Sequence, residues 1–447
     1  MNEEIQIQII ELMDAGATIE SSPELKALVD ASKEAREFYE SLLVSGSMLE
    51  GFFGGDKAKE LNARAEVFIN EQLEKPSNIS SINFKPFIGF AVAASLAVIA
   101  FTIVNSPSET VEPVEVAEAV IEEPVVVIEE IIEPDLPIID PHHHLWSFFG
   151  VDYLARQFHT DINSGHNIKK TVYVECGMSY LNDGVDYLKS LGETEFVVRQ
   201  AKQIEELGGR PIVDGIVAKA DLRLTDSLDD VLNQHSEISE NRLKGIRHPA
   251  ARAEYPEALS ISVCAPEGLY EDSKFREGLN ILGRKGLSYD AWHYHYQNQA
   301  FTALARAVPD TTLILDHFGT PLGVGPYANH RNEIFIQWKK DIQEMAKCEN
   351  VVIKLGGLAM SDNGFGWESK PKPPTSDEFV AAQKEYYLHA IECFGPSRCM
   401  MESNFPVDRN SLSYAVLING QKKIVSNFSE DEKLQLFYGT ADKVYQL

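Results

Sequence analysis

The sequence predicts an α/β protein: a (β/α)8 (TIM) barrel over residues 137–447, preceded by a small helical segment and one transmembrane helix. Two observations predict the barrel. Eight short apolar runs alternate with amphipathic stretches of helical spacing, and polar side chains follow the apolar runs where each strand would end. A long uncharged run before the barrel predicts the transmembrane helix.

Residues 1–85 are predicted to form the helical segment. Ser22, Pro23 and Glu24 make a helix start signal, because they combine a capping hydroxyl, a first-turn proline and an acid at the positive end of the helix dipole. Apolar residues then recur at roughly helical spacing as far as Leu43. Nothing in this segment is typical of a catalytic site.

An apolar run over residues 87–104 predicts a transmembrane helix at 86–105. The run is 18 residues long without a charged residue, which is near the lower limit for crossing a bilayer. Lys85 precedes the run and no Lys or Arg follows it before Arg156, so the positive-inside rule places the N-terminus in the cytoplasm and the barrel outside, in the periplasm. A buried core helix of a cytoplasmic protein is the alternative.

Acidic residues outnumber basic residues in the chain. They are concentrated in residues 106–136, which carry ten acids, no base and repeated proline. Like charges and proline favour an extended linker. The formal charge of the whole chain is −28, which argues against nucleic acid or an anionic lipid surface as a partner, because a polyanion would be repelled. The five scattered cysteines predict neither a disulfide framework nor a thiolate zinc site.

The barrel prediction rests on the alternation of two kinds of segment. The apolar runs predicted as strands are 137–140, 171–174, 214–218, 243–246, 287–292, 312–315, 351–355 and 398–401. Amphipathic segments predicted as helices include 195–207, 228–236, 274–283, 300–308, 334–347 and 377–394. Eight such strands fit a closed barrel. An open doubly wound sheet is the alternative, but no glycine-rich phosphate loop follows the first strand.

The most informative motif is Asp140-Pro141-His142-His143-His144, at the end of the first predicted strand. Alternate residues of a strand point to the same face, so His142 and His144 would present two imidazoles on one side. Two imidazoles make half of a divalent-metal site. A surface or tag-like histidine run is the alternative, but a tag is usually terminal and does not follow an apolar strand.

Polar side chains also lie at the predicted ends of the other strands, where a barrel carries its active site. These ends carry Glu175, Asp221, Arg247 with His248, His293 with His295, His317, Lys354, and Glu402 with Asn404. A single residue of this kind is more often a hydrogen-bonded structural group. Four histidine-bearing ends around one barrel mouth favour a functional site.

From about residue 136 to the C-terminus the chain resembles the amidohydrolase superfamily, in its amidohydrolase 2 branch of metal-dependent hydrolases and lactonases. The resemblance rests on the histidine motif of the first strand and on residues 315–319, 352–358 and 398–407 of the sixth, seventh and eighth strands. It implies hydrolysis of an ester or amide carbonyl. A bound zinc ion would activate water and polarise the carbonyl, although some lactonases of this branch work without a metal.

The resemblance also implies roles for single residues. Four histidines would hold the metal: His142, His144, His295 and His317. Substrate contacts are expected from Glu175, Arg247 and His248. The Arg247 guanidinium is suited to bind a substrate carboxylate in bidentate fashion, and a structural ion pair is the alternative.

The eighth strand departs from the family pattern. The family usually places an aspartate there, in a Ser-Asp-Trp-Pro type sequence, to take the proton from the attacking water, whereas this chain has Asn404. Asparagine has no usable basicity. Three alternatives stay open: Asp408 or Glu402 replaces the aspartate, a histidine acts as the base, or hydrolysis is impaired. The candidate catalytic residues are therefore His317, Asn404 and Asp408.

Two functions compete. The first is a membrane-tethered hydrolase that cleaves a lactone, or a related ester or amide carbonyl, of a small carboxylated substrate. The second is a membrane-bound signalling protein whose impaired barrel binds a ligand, while residues 1–75 bind a cytoplasmic regulator. The regulator part of the second hypothesis rests on layout, because a small acidic helical segment before a membrane helix resembles bacterial anti-sigma or FecR-type regulators. Asn404 favours the impaired barrel, and the retained histidines oppose it.

Overall fold

The computed structural model describes residues 23–30, 127–148, 151–208 and 213–447. Helix α1 spans Pro23–Asp30, which confirms the predicted helix start. The predicted membrane span, residues 86–105, and the linker before residue 127 lie outside the described residues, so the span, its orientation and the regulator remain predictions. Within the described ranges, no helix is long and apolar enough to cross a bilayer.

Eight parallel strands form one sheet in chain order. They are β1 Pro137–His143, β2 Asn167–Val174, β3 Val213–Lys219, β4 Leu243–Arg247, β5 Ser288–Ala291, β6 Leu313–Leu315, β7 Val351–Leu355 and β8 Cys399–Met401. The first and last strands meet because the His144 amide donates to the Phe405 carbonyl (2.7 Å) and the Asn404 amide donates to the His142 carbonyl (2.9 Å). The predicted barrel is therefore confirmed.

A helix follows each strand on the outside of the barrel. These helices are α2 Ala155–Ile162, α3 Leu191–Glu206, α4 Thr225–Ile238, α5 Ser273–Lys285, α6 Asn298–Ala307, α7 Arg331–Met345, α8 Ser376–Phe394 and α9 Tyr414–Ile424. The chain ends in Glu430–Leu434 (α10), a π-helical turn and Thr440–Tyr445 (α11). All six helices named from the sequence are present. Helices α2 and α9 and a hairpin of Trp146–Phe148 with Val151–Tyr153 were not predicted.

The barrel interior is apolar at one end, where α11 closes it. Side chains from six strands form one buried cluster with this helix: Ile139, Val172, Val174, Val217, Ile314, Val352, Met400, Ala441 and Tyr445. Lys170 and Lys244, near the starts of β2 and β4, contact Asp442 and Gln446 at the same end. Each fully buried aliphatic side chain stabilises the fold by about 1.5–3 kcal/mol. The open mouth is therefore at the carboxyl ends of the strands.

Residues 127–136, the end of the predicted linker, lie against the barrel. The Glu129 carboxylate accepts hydrogen bonds from the Ser376 amide (2.7 Å) at the start of α8 and from the Asn419 side chain (3.2 Å) in α9. Asn419 also accepts from the Ile132 amide (2.9 Å). The Lys422 ammonium donates to the carbonyl of Ile132 (2.9 Å). These contacts make the segment part of the barrel surface.

Candidate active site

Asp140 of the histidine motif aligns the end of β1 with the segment after β8. Its carboxylate accepts hydrogen bonds from the Ser403 amide (3.0 Å), the Ser403 hydroxyl (2.6 Å) and the Tyr414 hydroxyl (3.0 Å). Complete burial outweighs these hydrogen bonds and raises the pKa of Asp140 to about 6. The aspartate therefore holds the barrel seam together and positions the histidines beside it.

His142 and His144 point to the same side, as the strand geometry predicts. Their Nε2 atoms are 3.2 Å apart, whereas His143 points the other way and stacks on Phe158 with ring centroids 3.9 Å apart. His144 Nδ1 lies 2.8 Å from the Val174 carbonyl. Because a carbonyl only accepts, His144 carries its proton on Nδ1 and has a lone pair on Nε2. Two nitrogen ligands of a tetrahedral zinc ion lie at a similar separation, about 3.3 Å.

Glu402 joins two of the histidines. One carboxylate oxygen, Oε1, lies 2.8 Å from His317 Nδ1, and the other, Oε2, lies 3.0 Å from His142 Nδ1. Burial opposes the ionisation of Glu402, but His317 and His142 outweigh it and lower the pKa of the carboxyl below its usual range. His142, His317 and Glu402 each offer one ligand atom, and these atoms lie within 4.8 Å of one another. The group is therefore an ionised carboxylate between two imidazoles.

Buried ion pairs lie behind this group. The Lys354 ammonium donates to Asp290 (2.7 Å) and lies 3.1 Å from Asp316 Oδ1. Arg247 donates through Nε to the Glu175 carboxylate (2.8 Å) and through Nη2 to the Glu175 carbonyl, and its Nη1 lies 3.7 Å from Asp316. Arg247 thus forms the structural ion pair that the sequence left as the alternative to substrate binding.

The charges of this cluster fit a divalent cation. Four carboxylates (Glu175, Asp290, Asp316 and Glu402) face two cations (Arg247 and Lys354). The cluster therefore holds two more carboxylates than cations. Within the described part of the chain, Glu402 Oε2 and both carboxylate oxygens of Asp316 are buried without a hydrogen bond of good geometry. Buried carboxylates in excess of cations are costly, although Asp316 lies 3.1 Å from the Lys354 ammonium. A divalent metal such as zinc would offset this excess, held by His142, His144 and His317, with Glu402 accepting hydrogen bonds from two of these rings.

His295 lies apart from this set. Its Nδ1 accepts a hydrogen bond from the Leu322 amide (3.3 Å), so the neutral ring carries its proton on Nε2 and has no free lone pair. Its ring packs against Tyr296 and Tyr327. His295 as a metal ligand remains a prediction, and this placement does not favour it.

Asp408 and Glu402, the two acids that could replace the missing aspartate, contact different groups. Asn404 donates to Asp408 Oδ1 (2.9 Å), and the Ala359 amide donates to Asp408 Oδ2 (3.1 Å). Burial raises the pKa of Asp408 to about 7. Both oxygens of Asp408 accept hydrogen bonds from neighbouring groups, and neither contacts a histidine of the site in these hydrogen bonds. The carboxylate that contacts the histidines belongs to Glu402.

His248, the remaining predicted substrate contact, has one ring nitrogen engaged. The Leu222 amide donates to its Nδ1 (3.2 Å). The neutral ring then carries its proton on Nε2, which leaves one N–H donor.

A sequence profile described as Amidohydrolase matches residues 139–447. This chain belongs to the amidohydrolase family. The amidohydrolase is 31% identical over 335 residues to the uncharacterized protein y4mH of Sinorhizobium fredii, across 70% of this chain and 99% of that protein. It is 24% identical over 318 residues to the L-fucono-1,5-lactonase of Burkholderia multivorans, across 69% of this chain and 96% of the lactonase.

Solved structures share the fold of this amidohydrolase. Two crystal structures of a Burkholderia multivorans amidohydrolase, one with bound HEPES and one with bound zinc, superpose with TM-scores of 0.54 and 0.53. Each is 21% identical to this chain and covers 69% of it and 99% of the other protein. The predicted resemblance of the barrel is confirmed, and the chain is an amidohydrolase-family hydrolase. The resemblance of the N-terminal segment to anti-sigma or FecR-type regulators remains a prediction.

Three residues of the candidate site of this amidohydrolase make more contacts with its other residues than the sequence indicated. Lys354 was predicted only as a polar strand end and Asp316 only as part of a family motif, and Glu402 was predicted as a polar strand end and as one possible replacement for the missing aspartate. Each has a signal that could have found it, because an acid or a lysine at the end of a short apolar strand points into a barrel mouth. Their partners come from strands far apart in sequence, so the pairing itself could not be predicted.

Proposed function

We propose that this amidohydrolase hydrolyses a lactone, or a related ester or amide carbonyl, of a small sugar-acid-like or carboxylated substrate. The observation that carries the proposal is the placement of Glu402 between His317 and His142 at the open end of the barrel. A carboxylate that fixes the proton of one imidazole leaves the opposite nitrogen of that ring as a base or a ligand. The lactonase that shares 24% identity with this chain supports a cyclic ester as the substrate class.

The chain's own residues have separable tasks. A bound divalent metal would supply carbonyl polarisation and an acidified water. Because the His317 Nδ1–H donates to Glu402, the Nε2 lone pair of His317 can hold that metal or, without it, accept a proton from water. Glu402 then stabilises the imidazolium that forms, as an orienting carboxylate does. His144 contributes a second unprotonated nitrogen through its bond to Val174.

The surroundings of Arg247 and His248 favour an uncharged lactone as the substrate over a carboxylated substrate bound by Arg247. A substrate carboxylate would have to displace Glu175, which lies 2.8 Å from the Arg247 Nε atom. His248 has one ring nitrogen occupied by the Leu222 amide (3.2 Å), so its other nitrogen can donate to a hydroxyl or ring oxygen of the substrate. Neutral sugar lactones are therefore the first compounds to test, with carboxylated lactones beside them.

The test is a hydrolysis assay on the purified full-length chain. It compares neutral sugar-acid lactones, carboxylated lactones and simple esters, before chelation, after chelation, and after zinc is restored. We expect turnover of at least one lactone. Loss on chelation and recovery with zinc would assign the metal-dependent route. Unchanged turnover after chelation would show that hydrolysis needs no chelatable metal and would make His317 the first candidate for the base. No turnover of any carbonyl substrate by the zinc-restored protein would refute the proposal.

A second candidate function has one observation in its favour. Asn404 occupies the position of the usual aspartate and donates to Asp408, so the barrel could bind a small acid or lactone without converting it. Calorimetric titration of the same compounds separates the two functions. Binding without product would favour the ligand-sensing barrel, and product formation would exclude it.

A further inference from the structure

His142 Nδ1 has two partners that it cannot satisfy together. The Lys354 ammonium lies 3.1 Å from this nitrogen, and Glu402 Oε2 lies 3.0 Å from it. An ammonium only donates and a carboxylate only accepts. Nδ1 therefore either accepts from Lys354 without a proton of its own, or carries a proton and donates it to Glu402.

The other nitrogen of the ring must follow this choice. His142 Nε2 lies 3.2 Å from His144 Nε2, which is unprotonated because His144 Nδ1 donates to the Val174 carbonyl. When Lys354 donates to Nδ1, neutral His142 carries its proton on Nε2 and donates it to His144. When Glu402 accepts the proton from Nδ1, two lone pairs face each other. For a neutral His142 ring, that second arrangement would need a bound cation to offset the two lone pairs.

We propose that Lys354 is a positioning residue that sets the tautomer of His142 and thereby weakens metal binding. In the metal-free protein Lys354 donates to His142, and His142 donates to His144. With a metal bound, His142 would carry its proton on Nδ1 instead of Nε2 and would donate it to Glu402 instead of accepting from Lys354, which would leave both Nε2 lone pairs free. The inference rests on the metal assignment made under the proposed function.

The Lys354 side chain is completely buried and does not reach solvent. Its side chain and that of Asp290 are both 0% exposed and their charged atoms are 2.7 Å apart. Asp290 also accepts from the Tyr445 hydroxyl (2.7 Å) and the Ser288 hydroxyl (3.1 Å). The ammonium is thus held beside His142 by groups that are themselves fixed, and every metal ion that enters must compete with it.

Because Lys354 and Asp290 form an ion pair, a double variant can remove the Lys354 ammonium without changing the net charge of the site. K354M/D290N deletes one positive and one negative charge, so the net charge of the cluster stays the same. Asp316 loses its 3.1 Å contact with Lys354 but keeps Arg247 Nη1 at 3.7 Å. The amide oxygen introduced by D290N can take the place of Oδ2 and accept from Tyr445, and the amide nitrogen then faces the Ser288 hydroxyl, which can accept from it. K170M/D442N is the matched control, because Lys170 and Asp442 form a 2.7 Å ion pair at the closed end of the barrel.

The experiment measures zinc affinity of the full chain by competition with a chromophoric chelator. We expect K354M/D290N to bind zinc at least about tenfold more tightly than the wild type, roughly the factor that one hydrogen bond to a charged group contributes. K170M/D442N should equal the wild type. Equal affinity of K354M/D290N and wild type would overturn the inference, whereas absence of zinc binding by both would refute the metal assignment instead.

A second readout is taken on the wild-type protein itself. Nitrogen NMR of ¹⁵N-histidine-labelled wild type, with the His142 signals assigned by their loss in H142N, reports which ring nitrogen carries the proton. Zinc-free wild type should carry it on Nε2, and zinc should move it to Nδ1. A proton on Nδ1 in the zinc-free wild type would overturn the role of Lys354 whether or not the protein binds zinc.

Discussion

Glu402 Oε1 accepts a hydrogen bond from His317 Nδ1 across 2.8 Å. The two residues follow β8 and β6, and both side chains are almost completely buried. The sequence lacks the expected acid at Asn404, and Glu402 lies two residues before it. The barrel therefore has a carboxylate beside its histidines, supplied from a neighbouring position on the same strand end.

Glu402→Gln should reduce hydrolysis strongly while leaving the fold intact. Glutamine keeps the size of the side chain but removes the charge that orients His317 and would stabilise its imidazolium, and such groups contribute about 10²–10⁴-fold to the rate. The measurement is kcat and KM on the lactone that the wild type turns over. Glu240→Gln, on the exposed Lys202 ion pair, is the matched control and should be neutral. Activity of E402Q within twofold of wild type would contradict the role.

Asn404 and Asp408 should tolerate exchange better than single substitution. Asn404 donates to Asp408 across 2.9 Å, so N404D alone would place two buried carboxylates together and force one to stay protonated. N404D/D408N keeps one acid and one amide in the pair. We expect this double variant to melt close to the wild type and to hydrolyse faster, because it restores a base at position 404. No gain in kcat in a well-folded double variant would exclude the missing aspartate as the limit on turnover.

Asp408 should also make stability depend on pH. Burial raises the pKa of its carboxyl to about 7, so the folded state holds this proton more tightly than the unfolded chain does. That contribution is fully present below about pH 4 and is lost as pH rises through 7, by an upper limit of a few kcal/mol. Between these values the wild type should lose stability relative to D408N. Denaturant unfolding at several pH values checks this, and parallel curves for the two proteins would contradict it.

The fold was predictable because it depends on local patterns. Each strand, such as β7 at Val351–Leu355, is a short apolar run, and each amphipathic segment between strands became a helix. The hairpin after His144 was missed because its strands are only three residues long, Trp146–Phe148 and Val151–Tyr153, too short for a periodic signal.

The site was predictable in its first half only. His142 and His144 follow from strand geometry, and His317 from a family motif. The contacts of Lys354 with His142 and of Glu402 with His317 join residues 212 and 85 positions apart. Such pairings depend on strand register and on the depth of each side chain in the barrel, and neither can be predicted from a single sequence.

Asn419 should anchor the segment that enters the barrel from the linker. It accepts from the Ile132 amide (2.9 Å) and donates to the Glu130 carbonyl (2.9 Å) and to Glu129 (3.2 Å). Asn419→Ala leaves these groups without their partner, which costs about 1–3 kcal/mol. We expect a lower melting temperature and faster proteolysis within 127–136. Asn167→Ala, which removes one exposed hydrogen bond to the Asp135 carbonyl, is the milder control. Equal proteolysis of both variants would contradict the anchoring role.

His144 and His295 should differ in their effect on metal content, although the family resemblance implies both as ligands. His144 has an unprotonated Nε2 3.2 Å from that of His142, fixed by the Val174 carbonyl, whereas His295 uses Nδ1 to accept from the Leu322 amide (3.3 Å). His144→Asn should therefore lower zinc affinity at least about tenfold, because one nitrogen ligand is lost. His295→Asn should bind zinc like the wild type. Zinc per chain after dialysis, measured by atomic absorption on folded protein, checks both expectations. Loss of zinc in H295N would support His295 as a ligand, as the family resemblance implies, and retention of zinc in H144N would contradict the set inferred from the geometry.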